Sequence, residues 1–225
     1  RILSMVMGMF YAVALSRYIQ AAGMGIIATA SSLVSIISLI INFGLNELIV
    51  RDVAADKSRA SSYTVNLLFV RGVLALFTFG ILALVSMWAN YPIETVVVIS
   101  IYSAVYLFDE LTAICFSVFN AHERMEYSAI IQTMRDIINI GISLIAIAFK
   151  FNLFIIVAIS ALASLIKLII SFSVLQRQIT SRFPPVDFQI IKKLMLTALP
   201  FAALTFLNTA QGRVVTPILS LYRSP

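Results

Sequence analysis

Residues 93–118, IETVVVISIYSAVYLFDELTAICFSV, decide how the rest of the chain is read. The run is long and apolar enough for an α-helix to cross ~30 Å of hydrocarbon, which takes about 20 residues. Within it, at YLFDELTAI (106–114), Asp109 and Glu110 are consecutive carboxylates with no basic residue nearby in sequence. A charge at the centre of a lipid-facing helix costs about 2.5–3.5 kcal/mol on insertion scales. Both side chains therefore have to meet protein or water. Neighbouring residues of a helix stand ~100° apart, so the two acids address two different neighbours.

The composition generalises this reading. Of 225 residues, 61% are hydrophobic and 12% charged, with a mean hydropathy of +1.01. Soluble domains carry about 45–50% apolar and about 25% charged residues, so the chain is expected in a membrane. Its apolar material comes in runs of roughly 20 residues rather than in the short alternating segments of a barrel. The fold class expected is all-α, a polytopic transmembrane helical bundle. Seven spans are marked at 2–16, 26–50, 64–88, 93–118, 127–149, 153–175 and 195–220. They are separated by RYIQAAGMG, RDVAADKSRASS, NYP, NAHERMEY, KFN and QRQITSRFPPVDFQIIKK. The chain opens on Arg1 and closes on YRSP, with only Ile2 to Ser16 of the first apolar run. It reads as a fragment of a longer protein, and its first run as a clipped span rather than a signal peptide.

Charge sets the orientation. With the N-terminus in the cytoplasm, Arg1, Arg51, Lys57, Arg59, Arg124, Arg177, Arg182, Lys192 and Lys193 face inside, against Arg17, Lys150 and Arg223 outside. An inside excess of this kind is what membrane insertion favours. The +6 net charge is thus a topology signal, and nucleic acid is not an expected partner. Between spans six and seven, Pro184-Pro185 breaks the chain and Asp187 is placed to cap a new helix. Phe188, Ile190, Ile191 and Leu194 with Lys192 and Lys193 predict a short interfacial helix on anionic lipid. The organisation expected is a six-helix unit at 1–176, a cytoplasmic linker with an amphipathic helix at 177–194, and a further span at 195–225.

Other ionisable residues also fall within spans: Arg71, Arg135, Asp136, Lys167 and Arg213. In span five Gln132, Arg135, Asp136, Asn139 and Ser143 share one helical face; in span six Ser160, Ser164, Lys167 and Ser171 do. In span two the face is Ser31, Ser35, Ser38, Asn42 and Asn46. Small polar residues also occur at tightly packed helix interfaces, and a buried ion pair is the structural alternative for the charged stripes. Arg71, Asp109, Glu110, Arg135, Asp136 and Lys167 all lie about seven to ten residues from the cytoplasmic ends of their spans, ~10–15 Å deep. One layer of six charges predicts a hydrated, cytoplasm-facing vestibule. In it Asp109 and Glu110 are expected to meet Arg71, Arg135 or Lys167 as ion pairs, or to take up a cation or proton. Tyr106, one turn from Glu110, is a candidate donor to that carboxylate.

Several motifs imitate chemistry without supplying it. HERME (122–126) begins like a zinc-protease helix, but its second histidine position is Glu126 and His122 is the sole histidine. GMGIIA (23–28) spells a dinucleotide-binding pattern but precedes a span and follows no strand. Cys115, the only cysteine, reads as a small core residue. No catalytic residue, metal or cofactor is expected, and nothing points to an enzyme.

The block ALSRYIQAAGMGIIATASSLVSIISLIINFGLNELIVRDVAADKSR resembles the N-terminal signature of the polysaccharide (O-antigen type) flippase family. That family belongs to the multidrug/oligosaccharidyl-lipid/polysaccharide exporter superfamily. The residues that carry the likeness are Arg17-Tyr18, Gly23, Gly25, Gly44-Leu45, Val50-Arg51 and Asp52, with FNAHERMEYSAI and ALPFAALTF further on. The resemblance implies two six-helix lobes rocking about a central cavity, of which this chain spans the first lobe (1–176), the linker helix (177–194) and the first helix of the second lobe (195–225). It implies a transporter of undecaprenyl-pyrophosphate-linked repeat units from the cytoplasmic to the outer leaflet of the bacterial inner membrane. Partners implied are lipid-linked oligosaccharide and membrane lipid, with polysaccharide polymerase and chain-length proteins as further candidates. Relatives often carry an aspartate near the span-seven arginine, whereas GRVVTPILS supplies Arg213 without one. Arg71, Arg135, Lys167 and Arg213 are then the candidates for the pyrophosphate, since a planar guanidinium donates two hydrogen bonds to phosphate at once. Gln132 and Asn139 are candidates for the sugar, and Asp109, Glu110 and Asp136 for ion coupling or ion pairing. A drug or cation exporter of the same superfamily and a non-transporting membrane scaffold are the rival readings.

Overall fold

The computed structural model describes the backbone of residues 2–42, 44–88, 91–179 and 183–200, and their side chains except at 2–5, 35–42, 83 and 87. Among these residues every regular element is a helix. The elements are α1 (Ile2–Asn42), α2 (Leu45–Ala55), a 3-10 turn (Lys57–Arg59), α3 (Ala60–Trp88), α4 (Ile93–Ala121), α5 (Met125–Ala148) and α6 (Leu153–Gln178). A further helix, α7, runs over 188–200. Lys57–Ser86, Ile93–Ala121, Met125–Ala148 and Leu153–Gln178 are each long and apolar enough to cross a membrane. These are the third to sixth expected spans, and the chain is a multi-pass membrane protein. Most of the seventh expected span, with Arg213, Asn208 and Gln211, lies outside the described residues.

The break expected at RYIQAAGMG is present but short: α1 is two helices joined across a kink at Gln20, whose φ of 58° and ψ of −171° fall in a region otherwise kept by glycine. The kink folds Ile19 onto Gly23, where an added Cβ would sit 2.8 Å from Ile19 Cβ. The second span is not one helix. Gly44 takes a left-handed conformation (φ 69°) and α2 starts afresh at Leu45. Its buried residues, Leu45, Leu48, Ile49 and Val53, follow helical spacing toward the bundle.

The turns that join α4 to α5 and α5 to α6 are built alike. Arg124 N–H donates to Phe119 O (2.9 Å) and Glu123 N–H to Asn120 O (3.0 Å), while Phe151 N–H donates to Ala146 O and Lys150 N–H to Ile147 O, both 3.0 Å. Both are Schellman endings, which satisfy the last carbonyls of a helix and usually place glycine in the left-handed position. Here Glu123 (φ 60°) and Lys150 (φ 58°) hold it, at a cost of about 1–2 kcal/mol each. Across the bundle Tyr18, from the Arg17-Tyr18 pair, donates its hydroxyl to the carbonyl of Phe151 (2.8 Å) and ties α1 to the second of these turns.

Helix α4 is the hub, packing on α1, α2, α3, α5 and α6. Two apolar cores lie along it. One joins Leu48, Leu67, Ile114, Val118, Phe119 and Leu175; the other joins Ala30, Val34, Leu82, Val98, Ile99 and Val157. Burying such side chains contributes about 1.5–3 kcal/mol each in water; inside a bilayer close packing takes over that role. Helix α7 starts as expected: Asp187 accepts from the Gln189 N–H at 2.8 Å, and the Asp187 N–H donates to Asn66 Oδ1 on α3 (2.8 Å). Leu194, expected on lipid, is instead buried with Ala198 in the first core. Only the opposite face, with Phe188, Lys192, Lys193, Leu196 and Leu199, is exposed. Phe188 meets the Phe69 ring edge to face at 5.9 Å.

Candidate functional site

Between the two cores the helices carry one polar layer. Arg71 stands eleven residues into α3 from Ala60, and Lys167 eleven residues before the end of α6 at Gln178. Glu110 likewise precedes the end of α4 at Ala121 by eleven, and Asp136 follows the start of α5 at Met125 by eleven. Up-and-down helices with equal offsets put these groups at one depth, ~16 Å from that end of the bundle.

The consecutive acids do address two neighbours. Glu110 Oε2 lies 3.1 Å from Arg71 on α3, and Asp109 Oδ1 lies 2.6 Å from Lys167 Nζ on α6. These are contacts of charge: neither carboxylate oxygen is also aligned as a hydrogen bond. Arg71 is fixed further by donating to Asn46 Oδ1 on α2 (2.7 Å) and to the main-chain carbonyl of Glu110. Lys167 continues the layer by donating to Gln132 Oε1 on α5 at 3.5 Å. Gln132 donates in turn to Asp136 Oδ1 (3.0 Å), which also lies 3.4 Å from Arg135. Arg135 returns to α6 by donating to Ser164 Oγ at 3.1 Å. A chain of polar contacts thus runs through α2, α3, α4, α6 and α5.

Its cations are each paired: Arg71 with Glu110, Arg135 with Asp136 and Lys167 with Asp109, and Glu47 on α2 stands within electrostatic reach of the first pair. Their exposures differ and decide which can be reached. The Arg71 side chain is 0% exposed and Lys167 6%, whereas Asp109 is 37%, Asp136 26%, and Glu110 and Arg135 both 17%. The open vestibule expected from the charge count is therefore partly closed here: Arg71 is an enclosed cation and the carboxylates are the more accessible groups. Desolvating a charge is tolerable only beside a partner, and each of these has one.

The serine stripe of α6 turns inward as predicted, with Ser164 and Ser171 fully buried. The α5 stripe does the same, with Asn139 and Ser143 buried and Gln132, Arg135 and Asp136 half-buried. Asn139 Oδ1, Arg135 Nε and Ser171 Oγ are buried without a hydrogen-bond partner, which costs about 1–3 kcal/mol per group. Tyr106 does not donate to Glu110; it lines a small apolar cavity with Val34, Ala75 and Leu107. One contact went unread: Lys167 Nζ stands 6.0 Å from the centre of the Phe116 ring. The signal was available, since Phe116 follows Asp109 by seven residues, two turns along the same face. Cys115 is buried and unpaired with any other cysteine. No group of three or more His, Cys, Asp or Glu side chains suited to a metal occurs among the described residues.

The family described as "Polysaccharide biosynthesis protein" matches the chain over residues 1–225. No curated protein and no solved structure matches it.

Proposed function

The chain belongs to the polysaccharide biosynthesis protein family, and from that premise we propose that it is part of a flippase for undecaprenyl-pyrophosphate-linked oligosaccharide. It acts in the bacterial inner membrane with its N-terminus in the cytoplasm, and carries repeat units outward by alternating access with a second lobe. The observation that carries this reading is the charged layer at mid-depth, bonded across five helices in an otherwise apolar bundle. Charges inside a membrane are rare and mark substrate or ion pathways. Arg135 and Lys167 meet the pyrophosphate, with Arg213 on span seven as a further cation. Gln132 and Asn139 meet the sugar hydroxyls, and the unpartnered Asn139 Oδ1 gains a donor when they arrive. Arg71, enclosed and held three ways, positions α4 rather than touching substrate.

Pairing gives the layer a coupling role. A pyrophosphate that takes Lys167 from Asp109, or Arg135 from Asp136, leaves a carboxylate without its cation. Uptake of a proton or cation by that carboxylate offsets the loss, so substrate entry and ion uptake favour each other. Polymerase and chain-length proteins would receive the flipped unit on the far side.

The experiment uses the intact gene in its own cell. It is deleted, lipid-linked glycans are labelled, and an impermeant glycosidase reports the leaflet they occupy. Repeat units trapped on the inner leaflet, and freed by the wild-type gene but not by a well-expressed Arg135→Gln/Lys167→Gln form, are the expected result. Normal outer-leaflet glycan with that form would overturn the assignment. A second reading, export of a cationic compound, draws on the greater exposure of Asp109 and Asp136. Drug sensitivity that rises on deletion, with unchanged glycans, would select it.

A further inference from the structure

At the end of the bundle where α4 and α6 finish, three separate segments close around a cavity of about 230 Å³ lined by Lys57, His122, Arg124, Tyr127, Gln178 and Ile179. Basic residues at that end are expected from orientation alone, and cations near a helix C-terminus also complement its dipole. Neither explains a concave wall that gathers two cations and an imidazole and includes no acid. Of the acids nearby, Glu123 does not line the wall and Asp56 is committed elsewhere. Asp56 Oδ1 accepts from the Ser58 N–H (3.1 Å) and hydroxyl (2.6 Å), and its Oδ2 accepts from Arg59 (2.9 Å). Lys57, beside it, has no ion-pair partner among the described residues. Arg124 has only an exposed contact with Glu126 at 3.5 Å, a kind of pair worth little in water.

The cavity is also held in shape. Glu123, in the left-handed conformation (φ 60°), turns the chain between His122 and Arg124, and both of those residues line the wall while Glu123 does not. Strained non-glycine backbone of this kind gathers at functional sites. The Tyr127 ring is braced edge-on against Phe119 at 5.6 Å, and Phe119 is fully buried. His122 Nδ1 is engaged with the Val118 carbonyl at 3.0 Å, which leaves Nε2 as the ring's remaining polar atom. A lysine, an arginine, an imidazole, a phenol and an amide around one concavity make a donor set for an oxyanion with several oxygens.

We propose that this cavity binds a phosphate-bearing anion at the basic surface of the protein, apart from the mid-depth charged layer. The shared chemistry is a phosphate group, supplied by the headgroup of an anionic phospholipid or by a soluble phosphate. Lys57 and Arg124 neutralise it, Tyr127 and Gln178 donate to it, and Ile179 gives it an apolar edge.

The test takes the purified full-length protein in detergent and counts bound phosphatidylglycerol by native mass spectrometry, with inorganic phosphate as competitor. Lys57→Gln/Arg124→Gln is compared with Lys192→Gln/Lys193→Gln, which removes the same charge from the exposed face of α7. The first pair is expected to weaken retention at least tenfold, and the second less than twofold. Displacement of the lipid by millimolar phosphate would assign a small-anion site; retention against phosphate would assign a headgroup site. Equal loss in both pairs, or loss in neither, overturns the proposal, since the effect would be one of overall charge or absent. If the double variant does not fold, Lys57→Gln alone suffices, because that side chain makes no bond in its turn. An unchanged affinity there is equally decisive against the site.

Discussion

Glu110→Ala isolates the role of the enclosed cation. Arg71 has no exposed side-chain surface, and its ion-pair partner is the Glu110 carboxylate at 3.1 Å. Deleting that carboxylate leaves a guanidinium with Asn46 Oδ1, a main-chain carbonyl and the more distant, exposed Glu47. Breaking a buried pair from one side costs about 3–5 kcal/mol, chiefly because the surviving charge stays desolvated. Replacing both partners with apolar groups of similar volume is often neutral. Arg71→Met/Glu110→Leu is therefore expected to be more stable than Glu110→Ala by at least 2 kcal/mol. On the other side of α4, Asp109→Ala is expected to cost about 1–2 kcal/mol, between exposed and buried values. Asp109 is 37% exposed, and Lys167 keeps Gln132 and the Phe116 face. The assay is reversible unfolding in mixed micelles, titrated with SDS and followed by circular dichroism. A double variant as unstable as the two single losses summed would refute the reasoning, as would Asp109→Ala costing more than Glu110→Ala.

Three further expectations follow from the backbone and the linker. Glu123→Gly and Lys150→Gly should each stabilise the protein by about 1 kcal/mol in the same titration, since both remove a left-handed side chain from a Schellman ending. Gly23→Ala should destabilise by about 1–3 kcal/mol, because the new methyl meets the stiff Cβ of Ile19; a neutral result would show that the kink at Gln20 relaxes freely. Asn66→Leu removes the acceptor for the Asp187 N–H. It should speed proteolysis across 183–187 several-fold without shifting the main unfolding midpoint by more than about 1 kcal/mol.

The polar faces were legible in the sequence because helical spacing fixes which residues share a face, whatever the neighbours are. Asp109 and Glu110 had to diverge by one residue's rotation, and they do. Spacing does not say which helix stands opposite a face. Arg71 and Lys167 were named with Arg135 as candidates, and only packing on both sides of α4 sorts Arg71 to Glu110 and Lys167 to Asp109. Tyr106 shows the same limit from the other side: it lies one turn from Glu110 in sequence and faces another cavity in space. The break between the first two spans is legible at 17–25, though not its place at Gln20, which is neither glycine nor proline. The break at Gly44 is not legible, because its glycine lies inside an apolar run. The inner face of α7 was assigned to lipid because Leu194 is equally apolar toward a bilayer and toward a protein core.

The adjacency of Asp109 and Glu110 has a mechanical consequence. Their Cα positions differ by only ~1.5 Å along α4, so the clasp on α3 and the clasp on α6 share a single rung. Sliding α4 by one turn, or rotating it, strains both clasps in the same step, whereas a displacement of α3 or of α6 loads only its own. Motion of α4 is thus the one movement that couples the two sides of the bundle at mid-depth.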